Sequence, residues 1–108
     1  MLKMICAGAL ALALVPAMAM ASDSGKLNPA GEKLYKSACI ACHSTGAANA
    51  PKLGKGSKKV WEPLLEKGMD EVVSIAINGK GSMPARGGTK ADDAAVRAAV
   101  EYMVSRVQ

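Results

Sequence analysis

The stretch "CIACH", residues 39–43, constrains this chain more than any other. It holds His43, the only histidine in 108 residues, and two of the three cysteines, Cys39 and Cys42. The third, Cys6, lies in an N-terminal stretch that reads as a removable leader. Lys3 is the only charge before Asp23, an apolar stretch runs from Met4 to Val15, and Pro16 then leads into "AMAMA". Ala19 and Ala21 offer two overlapping A-x-A cleavage sites, as a secretory signal requires. An uncleaved anchor is the competing reading, since Met4–Ala21 runs 18 residues without a charge. The alanine content, the proline and the small residues at the end favour cleavage, after Ala21 or Ala19. Residues 1–21 are therefore expected to be a signal peptide and residues 22–108 one exported domain.

Cleavage after Ala21 leaves 87 residues. Without Lys3 they carry 13 Lys and Arg against 9 Asp and Glu, a net charge of +4. There is no Phe, and the only aromatics are Tyr35, Trp61 and Tyr102. A domain this small has a marginal core, and such scaffolds need a staple. Two cysteines make one disulfide at best. A large apolar cofactor would supply the missing bulk.

Periodicity predicts helices and no paired strands. Asn28 followed by Pro29 reads as an N-cap with proline at the first helical position, opening a helix to about Ala38. Gly31 inside it costs about 1 kcal/mol relative to Ala, which suggests a close approach by another element. Ser57 can cap a second helix, "KKVWEPLLEKG", with Gly68 past its end and an awkward Pro63 inside. Asp70 can cap a third, "EVVSIAI", stopped by Asn78-Gly79. The last runs from about Asp92 to Val107, with Thr89 and Asp92 both eligible as caps. Residues 44–57 and 79–88 are loops punctuated by Gly and Pro. The class is all-α: about four short helices, with loops long enough to need something to wrap around.

C-x-x-C-H is the spacing of c-type haem attachment. Two cysteines three apart reach the two vinyl groups of one porphyrin and form thioethers. The histidine directly after the second falls beneath the iron. Three plainer readings compete. A Cys39–Cys42 disulfide leaves the adjacent His43 unexplained. A zinc site needs about four ligands, and the mature chain has no other Cys or His. A thioredoxin-like dithiol wants a βαβ context, which is missing.

One face of the iron would remain. The mature methionines are Met69, Met83 and Met103. Met103 lies on the apolar side of the last helix and reads as core; Met69 reads as a gap filler. Met83 sits in a loop 40 residues after His43, stiffened by Pro84 and flanked by glycines. It is the expected sixth ligand; a surface loop methionine and an open, gas-binding site are the alternatives. A thioether favours Fe(II), so His/Met ligation raises the reduction potential. With both axial positions filled, such a haem passes one electron and does little else.

At this point the sequence resembles the class I c-type cytochromes, and specifically the cytochrome c5 family. The resemblance covers nearly all of the mature chain. "CIACH" is its general part; "GAANAPKLG", Trp61, "AINGKGSMPARGG" and the closing "AAVEYMVSRV" are more specific. It implies a small cytochrome c fold around one covalent haem c, with thioethers at Cys39 and Cys42, His43 proximal and Met83 distal. It implies that the Pro51 carbonyl accepts a hydrogen bond from the ligand histidine and that Trp61 lies near a haem propionate. It also implies crossed terminal helices, meeting through Gly31, Tyr35 and Tyr102. The extra cysteine pair of some c5 members is missing.

Lys52, Lys55, Lys58, Lys59, Lys80, Arg86 and Lys90 fall in the segments expected around the haem edge. Read functionally, they steer the protein toward an acidic redox partner, a membrane donor complex or an oxidase or reductase acceptor. Nucleic acid is excluded by export and by the scarcity of stacking aromatics. Membrane contact is expected to be peripheral or none, and a weak homodimer through exposed haem edges is the remaining option. The expected function is a periplasmic one-electron carrier rather than an enzyme. The alternative is a haem-based ligand-binding or sensory module in which Met83 is displaced.

Overall fold

The computed structural model describes Gly8 and residues 27–108. The leader expected over residues 1–21, Gly8 apart, lies outside the described residues, as do residues 22–26. The described residues form helices, with two isolated bridges, Gly54 to Val107 and Lys80 to Met83, in place of any strand. None of these helices is long and apolar enough to cross a membrane.

The first helix starts where Asn28 and Pro29 require. Asn28 is extended, its side chain accepts from Ala30 N at 2.9 Å, and Pro29 begins α1 (Pro29–Leu34). The helical run does not stop near Ala38 as expected. It passes through a π turn, Tyr35–Cys39, where Ile40 N donates to the Tyr35 carbonyl five residues back. It then continues as α2 (Ile40–His43). Single π turns inside α-helices often mark functional positions; this one delivers the two cysteines and the histidine on helical backbone.

The last helix, α5 (Asp93–Ser105), is capped by Asp92, which accepts from Ala95 N at 2.8 Å. It crosses α1 at Gly31. A Cβ built on Gly31 would overlap the Ala98 carbonyl, so only glycine permits the crossing. Beside it the Tyr35 and Tyr102 rings meet at 5.3 Å with a 46° tilt. Such a pair adds about 0.5–1.5 kcal/mol beyond its buried area. The Tyr102 hydroxyl lies 3.5 Å from the Glu32 carboxylate, and the Arg106 guanidinium lies 5.1 Å from the Tyr102 ring centre.

Two other caps differ from expectation for one reason: a tertiary partner claims the side chain. Ser57 has helical dihedrals and makes no side-chain bond to α3 (Lys58–Leu65); its hydroxyl accepts from Gln108 N instead. Asp70 does not cap α4 (Met69–Asn78), which begins one residue earlier; its carboxylate pairs with Arg97 of α5. Gly68, at φ 92°, makes the sharp turn between α3 and α4. Pro63 stays inside α3, removing one helical bond in a helix that ends two residues later.

The core has two parts. Tyr35, Leu53, Trp61, Tyr102 and Met103 form one; Val73, Ala76, Val96 and Val100 form the other. Met103 is core, 4% exposed, and Met69 fills a gap beside the second part.

Candidate haem site

A cleft of about 700 Å³ opens between the two core parts. It is within the range of sites that hold cofactors. Cys39, Cys42 and His43 line it from the helical run; Ala47, Ala48, Asn49, Ala50 and Pro51 from the following loop; Trp61 and Leu64 from α3. Val72, Ile75 and Ala76 of α4, the loop around Met83, and Val100 and Met103 of α5 complete the lining. All six residues singled out from the sequence, Cys39, Cys42, His43, Pro51, Trp61 and Met83, border this one cleft.

His43 is buried, and its Nδ1 lies 2.9 Å from the Pro51 carbonyl. A carbonyl only accepts, so Nδ1 carries a proton and donates it to this bond. The next two residues secure the same loop. The Lys52 carbonyl accepts from Trp61 Nε1 at 3.0 Å, and Leu53 N donates to the His43 carbonyl at 2.8 Å. Trp61, 3% exposed, holds its ring 6.4 Å from the imidazole. Its indole donor is spent on Lys52.

Cys39 is half-buried and Cys42 exposed. Burial pushes the Cys39 thiol pKa up.

Met83 is presented by a folded loop. Lys80 and Met83 exchange both backbone hydrogen bonds, at 3.1 and 3.0 Å. Gly79, at φ 79°, lets the chain double back: a Cβ there would lie 2.7 Å from the Met83 carbonyl and 2.8 Å from Ala85 N. Arg86 secures the far side of the loop. Its guanidinium donates to the Ala91 carbonyl at 2.9 Å and pairs with Asp93 at 2.6 Å, and Thr89 Oγ1 donates to its carbonyl at 2.7 Å. Grouping Arg86 with the basic rim is thus corrected: its charge is used internally. Lys52, Lys55, Lys58, Lys59, Lys80 and Lys90 are exposed, with Lys58 3.8 Å from Glu62. Asn49, Lys67 and Glu71 also line the cleft. Sequence reasoning missed these three, because only the fold brings the loop after His43, the turn after α3 and the first turn of α4 to one cleft.

The lining suits a haem: mostly apolar walls, two thiols and an imidazole on one helical run, and a thioether on a braced loop. The crossed helices and this cleft define a small class I c-type cytochrome, an electron carrier with one covalent haem c. Residues 27–103 match the family described as cytochrome C oxidase, cbb3-type, subunit III, and the chain belongs to that family. Cytochrome c-555 of Chlorobaculum tepidum is 43% identical over 98 residues, spanning 86% of this chain and 85% of that protein. Cytochrome c5 of Azotobacter vinelandii is 33% identical over 75 residues, spanning 68% and 89%. A chain in a crystal structure of an electron transfer complex of nitrite reductase with cytochrome c is 54% identical, with a TM-score of 0.72. It covers 77% of this chain and 100% of its own. The c5 resemblance thus stands within a wider group of small cytochromes c.

Proposed function

We propose that this cytochrome moves single electrons between respiratory redox proteins in the periplasm. In this reading Cys39 and Cys42 carry the thioethers, His43 and Met83 are the axial ligands, Pro51 orients His43, and Trp61 braces the loop. The observation that carries the reading is the His43 Nδ1 to Pro51 contact, 2.9 Å, in a cleft that Met83 also lines. Donation from Nδ1 fixes the tautomer, turns the ring and makes Nε2 a stronger base. When bound, the haem supplies a one-electron couple whose potential His/Met ligation raises.

The chain's own residues do the rest. Val72, Ala76, Val100 and Met103 exclude water from the cleft, Gly79 and Arg86 hold the Met83 loop, and the π turn and α2 carry Cys39 and Cys42. With Met83 in the sixth position no site is left for a substrate. That favours transport over catalysis, and over the ligand-binding alternative.

The similarity to a chain from a nitrite reductase complex supports a redox enzyme as partner. Exposed lysines, Lys52, Lys55 and Lys80 on loops and Lys59 on α3, favour an acidic docking face, with association that slows as salt rises. Met83→Ala in the haem-loaded protein tests the reading. It should change the oxidised spectrum from low spin toward high spin, lower the potential and admit cyanide. An unchanged spectrum and potential would mean that Met83 is not the ligand.

A further inference from the structure

The chain end is tied to the loop that holds His43. Gly54 forms a parallel bridge with Val107, Ser57 Oγ accepts from Gln108 N at 3.0 Å, and Lys58 N donates to the Gln108 carbonyl at 2.9 Å. Ser57 is 5% exposed. A buried hydroxyl needs a partner, and this one finds it 51 residues away rather than on the helix it precedes. The segment 51–58 is therefore fastened twice. Its first residues hold His43 through the Pro51 carbonyl and Leu53 N; its last residues hold Val107 and Gln108. Leu53, between the two fastenings, is buried against Trp61 and Tyr102.

We propose that Ser57 and the Val107–Gln108 backbone form a latch that positions the His43 ring through the Pro51 carbonyl. Ser57 is then a positioning residue for electron transfer. The proposal rests on the reading of His43 as ligand and Pro51 as its acceptor. With the latch open, the far end of the loop loses its buried tie to the chain end and is held more loosely, and the carbonyl drifts from Nδ1. Hydrogen bonds weaken steeply with misalignment. A weaker bond makes the ring less basic, Fe(III) loses support, and the potential rises.

Two variants open the latch from opposite sides. Ser57→Ala removes the acceptor. Gln108→Pro removes the donor, because proline has no N–H, and leaves Ser57 untouched. Proton exchange in the reduced, haem-loaded protein is read by NMR at His43 Nδ1–H, Trp61 Nε1–H and Leu53 N–H, and the potential by titration. Either variant should speed exchange at all three by about tenfold, the factor that one lost buried hydrogen bond carries. The Ala76 and Val100 amides should exchange as before, the potential should rise, and Ser57→Thr should keep the parent values. Unchanged exchange and potential would overturn the latch, as would equal acceleration at Ala76 and Val100, which would make Ser57 an ordinary stability contact. A parent protein whose His43 Nδ1–H exchanges like a free imidazole would overturn the reading of His43 itself, and the latch with it.

Discussion

Trp61 donates its indole N–H to the Lys52 carbonyl at 3.0 Å, one residue beyond the carbonyl that meets His43. Two successive carbonyls of one loop are thus held by two rings that face the same cleft. Trp61→Phe keeps an aromatic ring but loses the donor. It should cost about 1–3 kcal/mol, from the lost bond and the smaller ring. Urea unfolding of the haem-loaded protein measures this. A loss below about 0.5 kcal/mol would mean that water replaces the bond at no cost.

Gly31→Ala sets two effects against each other. Alanine gains about 1 kcal/mol of helix propensity. The new methyl, however, overlaps the backbone carbonyl of Ala98, which cannot turn aside as a side chain would. Overpacking typically costs about 1–3 kcal/mol, and rigid backbone belongs at the upper end. A net destabilisation of about 2 kcal/mol is expected in denaturant melts. A neutral or stabilised variant would show that the crossing of α1 and α5 is looser than described.

Ala48 sits at φ 52°, left-handed backbone for a residue with a Cβ. That costs about 1–2 kcal/mol, offset in Ala48→Gly by the greater freedom glycine has when unfolded. Ala48→Gly should stabilise by about 0.5–1 kcal/mol. Ala47→Gly, next to it without a positive φ, should do the reverse. Paired melting curves of the two variants check the sign.

Burial raises the Tyr35 phenol above its ordinary value of 10.0, with the neighbouring Tyr102 adding to the shift. A raised folded pKa means that the unfolded chain releases the proton more easily. The stability from the buried neutral phenol is complete below pH 10 and is lost as pH rises through the higher folded value. Tyr35→Phe should therefore flatten the alkaline fall in stability and leave the pH dependence near neutrality as in the parent. Melts of both proteins at neutral and alkaline pH decide this.

The parts of the fold that local chemistry determines were legible in the sequence. Asn28 and Pro29 act on their own neighbours, and their helix starts where they predict; of the two eligible caps of the last helix, Thr89 and Asp92, Asp92 is the one used. Gly31 was legible because a glycine inside a helix needs a reason, and the crossing supplies it. Ser57 and Asp70 were misread as caps because Gln108 and Arg97, far along the chain, compete for their side chains. The π turn left no periodic trace; one extra residue in a turn does not disturb a pattern only ten residues long. At the site, scarcity did the work: one histidine and two cysteines left few arrangements. Arg86 was misjudged since charge alone does not tell a solvated rim from a clamp on Ala91 and Asp93.

Trypsin should cut after Lys36 and Lys52, releasing residues 37–52 with Cys39, Cys42 and His43 together. The mass of that peptide, from protein matured in cells able to attach haem, measures the covalent bond directly. The predicted peptide carries one haem and leaves no thiol open to alkylation. A peptide of unmodified mass with two alkylatable cysteines would contradict the account.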